Sequence, residues 1–347
     1  MKRLPLADLL LPWYAEAGRH HLPWRQNRDT YRLYLAEIML QQTRVETVQP
    51  YYQRFLARFP TWQSLAAGDL DTVLALWSGL GYYARARNAH AAAQRVVQVF
   101  GGEFPRTLTE AITLPGVGRS TAAAVLASAY GQRQAILDAN ARRVLFRYHG
   151  LHGGLRDLAN ERLLWQLAEQ ETPVQAHDYN QAIQDLGALY CLSRRPRCAS
   201  CPLQGPCAGP GSAPVASPVA AKPRRQAWFL LARSDDDRIL LEQRPQRGIW
   251  GGLWALPWFD PADPAAEDFS ALWQWAEGEY ALHIEIAAAQ PWRQHVFTHF
   301  QLEYQVIDAR LQAFGSAETA RKNALFSADQ LSTLALPSPL RRLLVGK

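Results

Sequence analysis

Residues 114–147 read L-P-G-V-G-R-S-T-A-A-A-V-L-A-S-A-Y-G-Q-R-Q-A-I-L-D-A-N-A-R-R-V-L-F-R. Pro115, Gly116 and Gly118 predict a tight turn that exposes backbone N–H groups. A helix should start near Arg119, because Ala122, Val125, Leu126 and Ala129 recur at apolar helical spacing. A glycine turn feeding a helix N-terminus suits an anion, since free N–H groups and the helix dipole both favour a phosphate. An ordinary helix–helix turn fits the same five residues, so the turn alone does not choose. The downstream run adds weight: apolar Ala135-Ile136-Leu137 ends at Asp138, where a second helix begins. A phosphate cradle is thus followed, twenty residues on, by a carboxylate at the edge of a hydrophobic core.

Toward the N-terminus the pattern stays helical. Helices are expected over 6–17, 31–42, 51–59 and 70–77, with Leu22-Pro23-Trp24-Arg25 as a turn. Tyr31, Tyr34, Leu35 and Ile38 form one apolar stripe, and Glu37 lies within that sequence. An acid in apolar surroundings has its charged form disfavoured, which raises its pKa toward the range of a general acid. The plainer reading is a glutamate on a helix surface. Further on, Gly79 and Gly81 interrupt W-S-G-L-G-Y-Y-A-R-A-R-N and present Tyr82 and Tyr83 beside Arg85 and Arg87. That grouping suits base stacking with phosphate contacts, although a tyrosine pair in the core fits it equally.

Toward the C-terminus, helices over 160–171 and 180–190 lead to C-x6-C-x2-C-x5-C: Cys191, Cys198, Cys201 and Cys207. Four thiolates suit zinc or a [4Fe–4S] cluster; zinc sites commonly carry two C-x2-C pairs, and this chain has one. Arg194, Arg195 and Arg197 lie in the first cysteine loop, where a metal group would fix them as a phosphate clamp. Residues 209–226 are rich in Pro, Ala and Ser and read as a linker. Strands are expected beyond it, over 227–232, 238–242 and 295–307, with a helix over 269–278.

A chain of 347 residues with 48% hydrophobic composition can build two domains with real cores. Residues 1–208 carry 23 Lys and Arg against 16 Asp and Glu, while the remainder carries 14 against 15. The basic excess therefore lies in the first part and suits a polyanionic partner. Cysteines clustered within seventeen residues do not make the disulfide framework of a secreted domain. Asp8 interrupts the leucines near the N-terminus, no small-residue cleavage site follows, and no stretch approaches a membrane span. A cytoplasmic protein without membrane attachment is expected.

The glycine hairpin and Asp138 resemble the helix-hairpin-helix and catalytic aspartate of the endonuclease III superfamily of base-excision DNA glycosylases. Bifunctional members carry a lysine two residues after the second hairpin glycine. Ser120 at that position resembles the MutY branch, the adenine DNA glycosylases. Residues 37–43, E-I-M-L-Q-Q-T, are similar to the catalytic helix of that branch, and L-P-W-R and the cysteine spacing extend the likeness. The fold class implied is multidomain, an all-α glycosylase region followed by an α+β MutT-like (Nudix-fold) domain. Residues 1–208 would form a six-helix barrel with helix-hairpin-helix and cluster loop, residues 209–226 a linker, and residues 227–347 the MutT-like domain.

The resemblance also implies site residues. One [4Fe–4S] cluster would sit on Cys191, Cys198, Cys201 and Cys207. DNA contacts would come from Gln42, Tyr82, Gly116, Gly118, Ser120, Arg194, Arg195 and Arg197, with Tyr82 wedging into the duplex and Gln42 assisting. Arg25 and Asn140 would line the adenine pocket. Residues 295–300, H-V-F-T-H-F, are similar to the family's F-S-H loop, with Thr298 in place of serine. Thr298 keeps a hydroxyl that can accept from N7–H of 8-oxoguanine and donate to O8, and His299 would share that role.

Two carboxylates suit cleavage of an N-glycosidic bond. Adenine leaves only once a ring nitrogen is protonated, and its departure leaves positive charge on the sugar. Glu37 is assigned the acid role and Asp138 the ionised one; Asp138 can also be the N-cap of the following helix. A lyase needs an amine nucleophile, and Lys2 is the only lysine in residues 1–208. A monofunctional glycosylase on double-stranded DNA with A:8-oxoguanine or A:G pairs, acting as a monomer, is the leading reading. A catalytically inert damage-binding protein is a second. A Nudix hydrolase is disfavoured, because no R-E-x-x-E-E series follows Gly251-Gly252.

Overall fold

Asp29, Thr61, Asp69, Thr107 and Asp138 each accept a backbone N–H two or three residues ahead, so side-chain caps start much of the helical part of the chain. The computed structural model describes residues 4–155, 157–209, 221–264, 268–314 and 322–346. The helices are α1 (Leu6–Ala17), α2 (Thr30–Leu40), α3 (Val45–Arg58), α4 (Trp62–Ala66), α5 (Leu70–Trp77), α6 (Ala84–Phe100), α7 (Leu108–Ala111), α8 (Arg119–Tyr130), α9 (Ala139–Tyr148), α10 (Leu158–Glu171) and α11 (Ala176–Leu189). The helices expected over 6–17, 31–42, 70–77, 160–171 and 180–190 stand within a few residues of their expected bounds. The long α6 was not anticipated.

Contacts divide the chain into two units: Met1–Ala67 with Asn88–Val219, and Gly68–Arg87 with Ala220–Lys347. In the first unit, Leu6, Leu10 and Tyr14 of α1 pack with Val144, Leu145 and Tyr148 of α9 and with Ile183 and Leu186 of α11. The run Ala135-Ile136-Leu137 is buried in this same core and delivers Asp138 to its edge. A second group of rings joins Tyr31 and Tyr34 of α2 to Trp62 and Phe104. Each large side chain buried this way contributes about 2 kcal/mol through the hydrophobic effect.

The second unit is built on a mixed sheet. Its strands are β1 (Arg224–Arg233), β2 (Ile239–Gln243), β3 (Trp254–Ala255), β4 (Trp258–Phe259), β5 (Leu282–Ala289), β6 (Arg293–Val296), β7 (Gln301–Phe314) and β8 (Asn323–Phe326). The main order is β3-β2-β1-β7-β5; β1 and β7 run parallel, from Arg224↔Gln301 to Arg233↔Arg310. Helix α12 (Ser270–Tyr280) places Leu272, Ala276 and Tyr280 against Trp228, Leu230, Ile284 and Ile307 of the sheet. Helices α13 (Ala328–Thr333) and α14 (Ser338–Val345) follow β8.

The structure corrects three sequence expectations. Residues 224–226 belong to β1, so the linker stops short of 226; residues 210–220 of that linker lie outside the described residues. The strand expected over 295–307 is two strands, β6 and β7, paired antiparallel with a four-residue turn at 297–300. And residues 68–87 leave the 1–208 region to join the second unit. Ser78 Oγ and Tyr83 Oη both donate to the Leu336 carbonyl at 3.1 Å, Arg87 donates to the Gly251 carbonyl at 2.6 Å, and Gln243 Nε2 donates to Asp71 Oδ1 at 2.6 Å.

Candidate active site and nucleic-acid interface

Asp138 is the N-cap of α9, as its alternative reading held. Its Oδ1 accepts from the amides of Asn140 at 3.0 Å and Ala141 at 2.8 Å, and its Oδ2 accepts from Gln184 Nε2 at 3.4 Å. Glu37 projects from the middle of α2. Glu37 and Asp138 are each half-buried residues. Burial pushes the Glu37 carboxyl up to about 7; the charge of Asp138 pushes the same way, and the Arg25 guanidinium opposes them. Glu37 therefore lies within electrostatic reach of both Asp138 and Arg25. Burial also raises the Asp138 carboxyl, against the Ala141 and Asn140 amides, Gln184 and the charge of Arg143. Burial thus raises both acids, while at Asp138 the Asn140 and Ala141 amides and Gln184 favour the ionised form.

The other residues expected here have definite partners. Arg25 forks onto Asp185, Nη1 to Oδ2 at 2.7 Å and Nη2 to Oδ1 at 2.8 Å, and only 5% of its side chain is exposed. Asn140 Oδ1 accepts from Arg143 Nη2 at 2.9 Å, and Arg143 also donates to the Gly187 carbonyl at 2.6 Å and to the carbonyl of Cys191. A Cβ on Gly187 would lie 2.5 Å from that of Asn140, so glycine lets α11 approach α9. Ser120 Oγ accepts from the Leu137 amide at 2.9 Å, tying α8 to the run that carries Asp138.

The glycine hairpin has the expected form. Gly116 has φ 74°, and a Cβ there would meet the Asn88 Cβ at 2.7 Å, so two independent constraints require glycine. Gly118 is the N-cap of α8 and supplies no side-chain cap, which leaves the first amides of that helix for an anion.

Non-glycine residues with positive φ are Gln42, Tyr82, Arg195, Asp237, Trp250 and Ala281 among the described residues. Three of these six are residues expected to touch DNA. Gln42 (φ 58°), Tyr82 (φ 50°) and Arg195 (φ 51°) all carry exposed side chains. Each such backbone costs on the order of 1–3 kcal/mol and clusters at functional sites. Tyr83, by contrast, is buried, so the tyrosine pair divides into one exposed ring and one core ring. Arg85 and Arg87 are both bonded to backbone carbonyls. Arg85 is 8% exposed and donates to the carbonyls of Leu80 and Gly81, and Arg87 is bound to Gly251.

The four cysteines line one cavity of about 280 Å³ with Val144, Arg147 and Leu186. Arg147 Nη1 lies 3.2 Å from Cys191 Sγ and donates to the Leu192 carbonyl at 2.7 Å. No three His, Cys, Asp or Glu side chains among the described residues are close enough to share a single metal ion. Arg194, Arg195 and Arg197 are exposed on the adjoining loop. In the second unit Thr298 and His299 are exposed at the tip of the β6–β7 turn, so neither is a strand residue. Phe297 and Phe300 stack beneath them, with centroids 4.4 Å apart and 12° between planes.

Residues 35–170 match the HhH-GPD superfamily of base excision DNA repair proteins, and residues 227–345 match the NUDIX domain. An adenine DNA glycosylase of Buchnera aphidicola subsp. Baizongia pistaciae is 40% identical over 75% of this chain and 75% of its own. Another, from Buchnera aphidicola subsp. Schizaphis graminum, is 33% identical over 97% of both chains. The chain belongs to the adenine DNA glycosylase family. A solved thermostable thymine-DNA glycosylase is also similar, with TM-score 0.52 and 31% identity over 56% of this chain and 90% of that one.

The helical region followed by a Nudix-like domain, expected from the hairpin and the late strands, is the architecture of this family member. Two residues of its site escaped the sequence reading. Asp185 is fully buried and bonded by Arg25 and Arg19; burial would raise its carboxyl, but the two guanidiniums hold it below the ordinary value. Part of its signal was available, because Asp185 directly precedes Leu186 and follows Ile183 by two residues. Gln184, the side-chain donor to Asp138, carries no such signal: an uncharged polar residue on a helix is usually on its surface.

Proposed function

We propose that this glycosylase removes adenine paired with 8-oxoguanine or guanine, with Glu37 as general acid and Asp138 as the ionised partner. Glu37 gives its proton to a ring nitrogen of the base, the C1′–N bond breaks, and the bonding electrons leave with adenine. Asp138 then faces the positive sugar, and water adds at C1′ and releases a proton. The observation that supports this reading is the pairing of two acids in the first unit: Asp138, bonded by the Asn140 and Ala141 amides and Gln184, and Glu37 of α2, which lies near enough to feel its charge. No lysine other than Lys2 lies in residues 1–208, and arginine is too basic for a Schiff base, so no lyase step follows.

Gly116, Gly118 and Ser120 at the start of α8, with Arg194, Arg195 and Arg197, are assigned to the phosphates, and Gln42 and Tyr82 to the mispair. Arg25 and Asn140 are assigned to the border of the adenine pocket, held there by Asp185 and Arg143. Thr298 and His299 read the oxidised guanine. The four thiols line one cavity, and their set and their single C-x2-C pair fit a [4Fe–4S] cluster better than a zinc site. When bound, such a cluster supplies a rigid anchor for the arginine loop and takes no part in the hydrolysis. No helix among the described residues is long and apolar enough to cross a membrane. We place the enzyme in the cytoplasm, acting on DNA as a monomer.

The test is incubation with a duplex containing one A:8-oxoguanine pair, followed by alkali. Alkali-labile cleavage at the adenine, without cleavage beforehand, is expected. Cleavage before alkali with strong borohydride trapping would replace the assignment by a lyase, and tight binding without any cleavage would replace it by a damage-binding protein.

A further inference from the structure

We propose that Arg341 is a positioning residue for Tyr82, so that the C-terminal part of the second unit holds the wedge as well as reading the partner base. This rests on the role given to Tyr82 above. Tyr82 combines a left-handed backbone at φ 50° with a ring that is 48% exposed. Such a residue keeps an unfavourable conformation only where its neighbours over-determine it. Its own turn supplies part of that constraint. Trp77 Nε1 donates to the Gly81 carbonyl at 3.2 Å, and Arg85 Nη2 donates to Leu80 at 3.3 Å and Gly81 at 3.1 Å. The Arg85 guanidinium lies 5.4 Å from the centre of the Tyr82 ring.

The remaining constraint comes from 253 to 258 residues away in sequence. The Leu336 carbonyl accepts both Ser78 Oγ and Tyr83 Oη, and Tyr83 Oη accepts the Gly79 amide at 3.2 Å. These bonds grip the turn on both sides of Tyr82. Arg341, on α14, locks the grip: Nε donates to Ser78 Oγ at 3.1 Å, Nη2 to the Leu334 carbonyl at 2.6 Å and Nη1 to the Ser332 carbonyl at 3.3 Å. One guanidinium thus fixes the 332–336 segment and the start of the tyrosine turn together, through donors that carry its charge. Without it, the Ser78–Leu336 bond loses the support that ties it to the Ser332 and Leu334 carbonyls, and the ring loses its presentation.

The experiment is a double-mutant cycle on the full-length protein. Single-turnover rates on an A:8-oxoguanine duplex are measured against enzyme concentration, giving the half-saturating concentration separately from the maximal rate. Arg341→Ala and Ser78→Ala should each raise the half-saturating concentration about three- to tenfold, the range of one or two hydrogen bonds. In the Tyr82→Ala background the same changes should add less than about twofold, because the group they position is gone. Penalties that multiply in the double variants, or single variants with unchanged half-saturation, overturn the proposal. A silent Tyr82→Ala overturns the wedge reading itself and the proposal with it. If Arg341→Ala does not fold, Ser78→Ala alone decides, since it removes one hydroxyl from the same junction.

Discussion

At the scale of the residue, the informative group is Glu37. A general acid must carry its proton at the working pH, and burial beside Asp138 raises its carboxyl to about 7. The single-turnover rate should therefore fall as pH rises through about 7, approaching tenfold per pH unit. Glu37→Gln should lower the rate by about 10²–10⁴-fold while leaving duplex affinity intact. A variant that cleaves at the wild-type rate would remove Glu37 from the acid role. The same shift bears on stability. Because the folded pKa lies above the unfolded value of 4.5, the folded state binds more protons between 4.5 and about 7. This contribution to stability is fully present below 4.5 and is lost as pH rises through about 7. Glutamine has no such loss, so Glu37→Gln should gain stability over wild type between about pH 5 and about pH 8, by on the order of 3 kcal/mol. Melting curves at the two pH values check it, and an equal difference at both would show that the carboxyl is not held in that environment.

At the scale of the element, the β6–β7 turn shows how a short loop proposed to read a base is held in place. Pairing of Val296 with Gln301 closes the turn, and the Phe297 amide donates to the Phe300 carbonyl at 2.9 Å. Phe297 also packs on Trp250 and His295, at 5.7 and 4.6 Å. The aromatic floor anchors the turn and leaves Thr298 and His299 outermost. Replacing the Thr298 hydroxyl by a methyl keeps the shape and removes the bond. Thr298→Val should then cut selectivity for A:8-oxoguanine over A:G by about 1–3 kcal/mol, the cost of a polar edge left unpaired. Rates on the two duplexes measured side by side decide it; an unchanged ratio in both Thr298→Val and His299→Ala would assign the reading elsewhere.

At the scale of the whole molecule, the proposal couples the thiol cavity to the adjoining arginine loop. Cys191 follows α11 and Arg147 reaches its sulfur from α9, so a group bound by the thiols would lock the loop carrying Arg194, Arg195 and Arg197 to the helical core. Cys201→Ala should lose the iron, weaken duplex affinity and flatten its salt dependence. Each phosphate that an arginine no longer neutralises lowers the slope of log affinity on log salt by about 1, because one fewer counterion is released on binding. Zinc without iron in anaerobically purified protein would reassign the cavity.

Signals carried within a few residues are legible in the sequence. The glycines of the hairpin, the Asp138 cap and the apolar spacing of α8 depend on i to i+4 relations, and the cysteine spacing is itself a motif. What only the tertiary structure decided were pairings across long stretches of chain. Asp185 meets Arg25 from 160 residues away, and Tyr83 meets Leu336 from 253. Arg85 and Arg87 looked available for phosphate, yet the fold spends them on backbone carbonyls. The strand expected over 295–307 is interrupted at 297–300, where Phe297 and Phe300 stack on each other across a turn. Local sequence sets which elements form and where they start; which buried charge has a partner, and how far a carboxyl's pKa moves, depend on groups that only folding brings within a few ångströms.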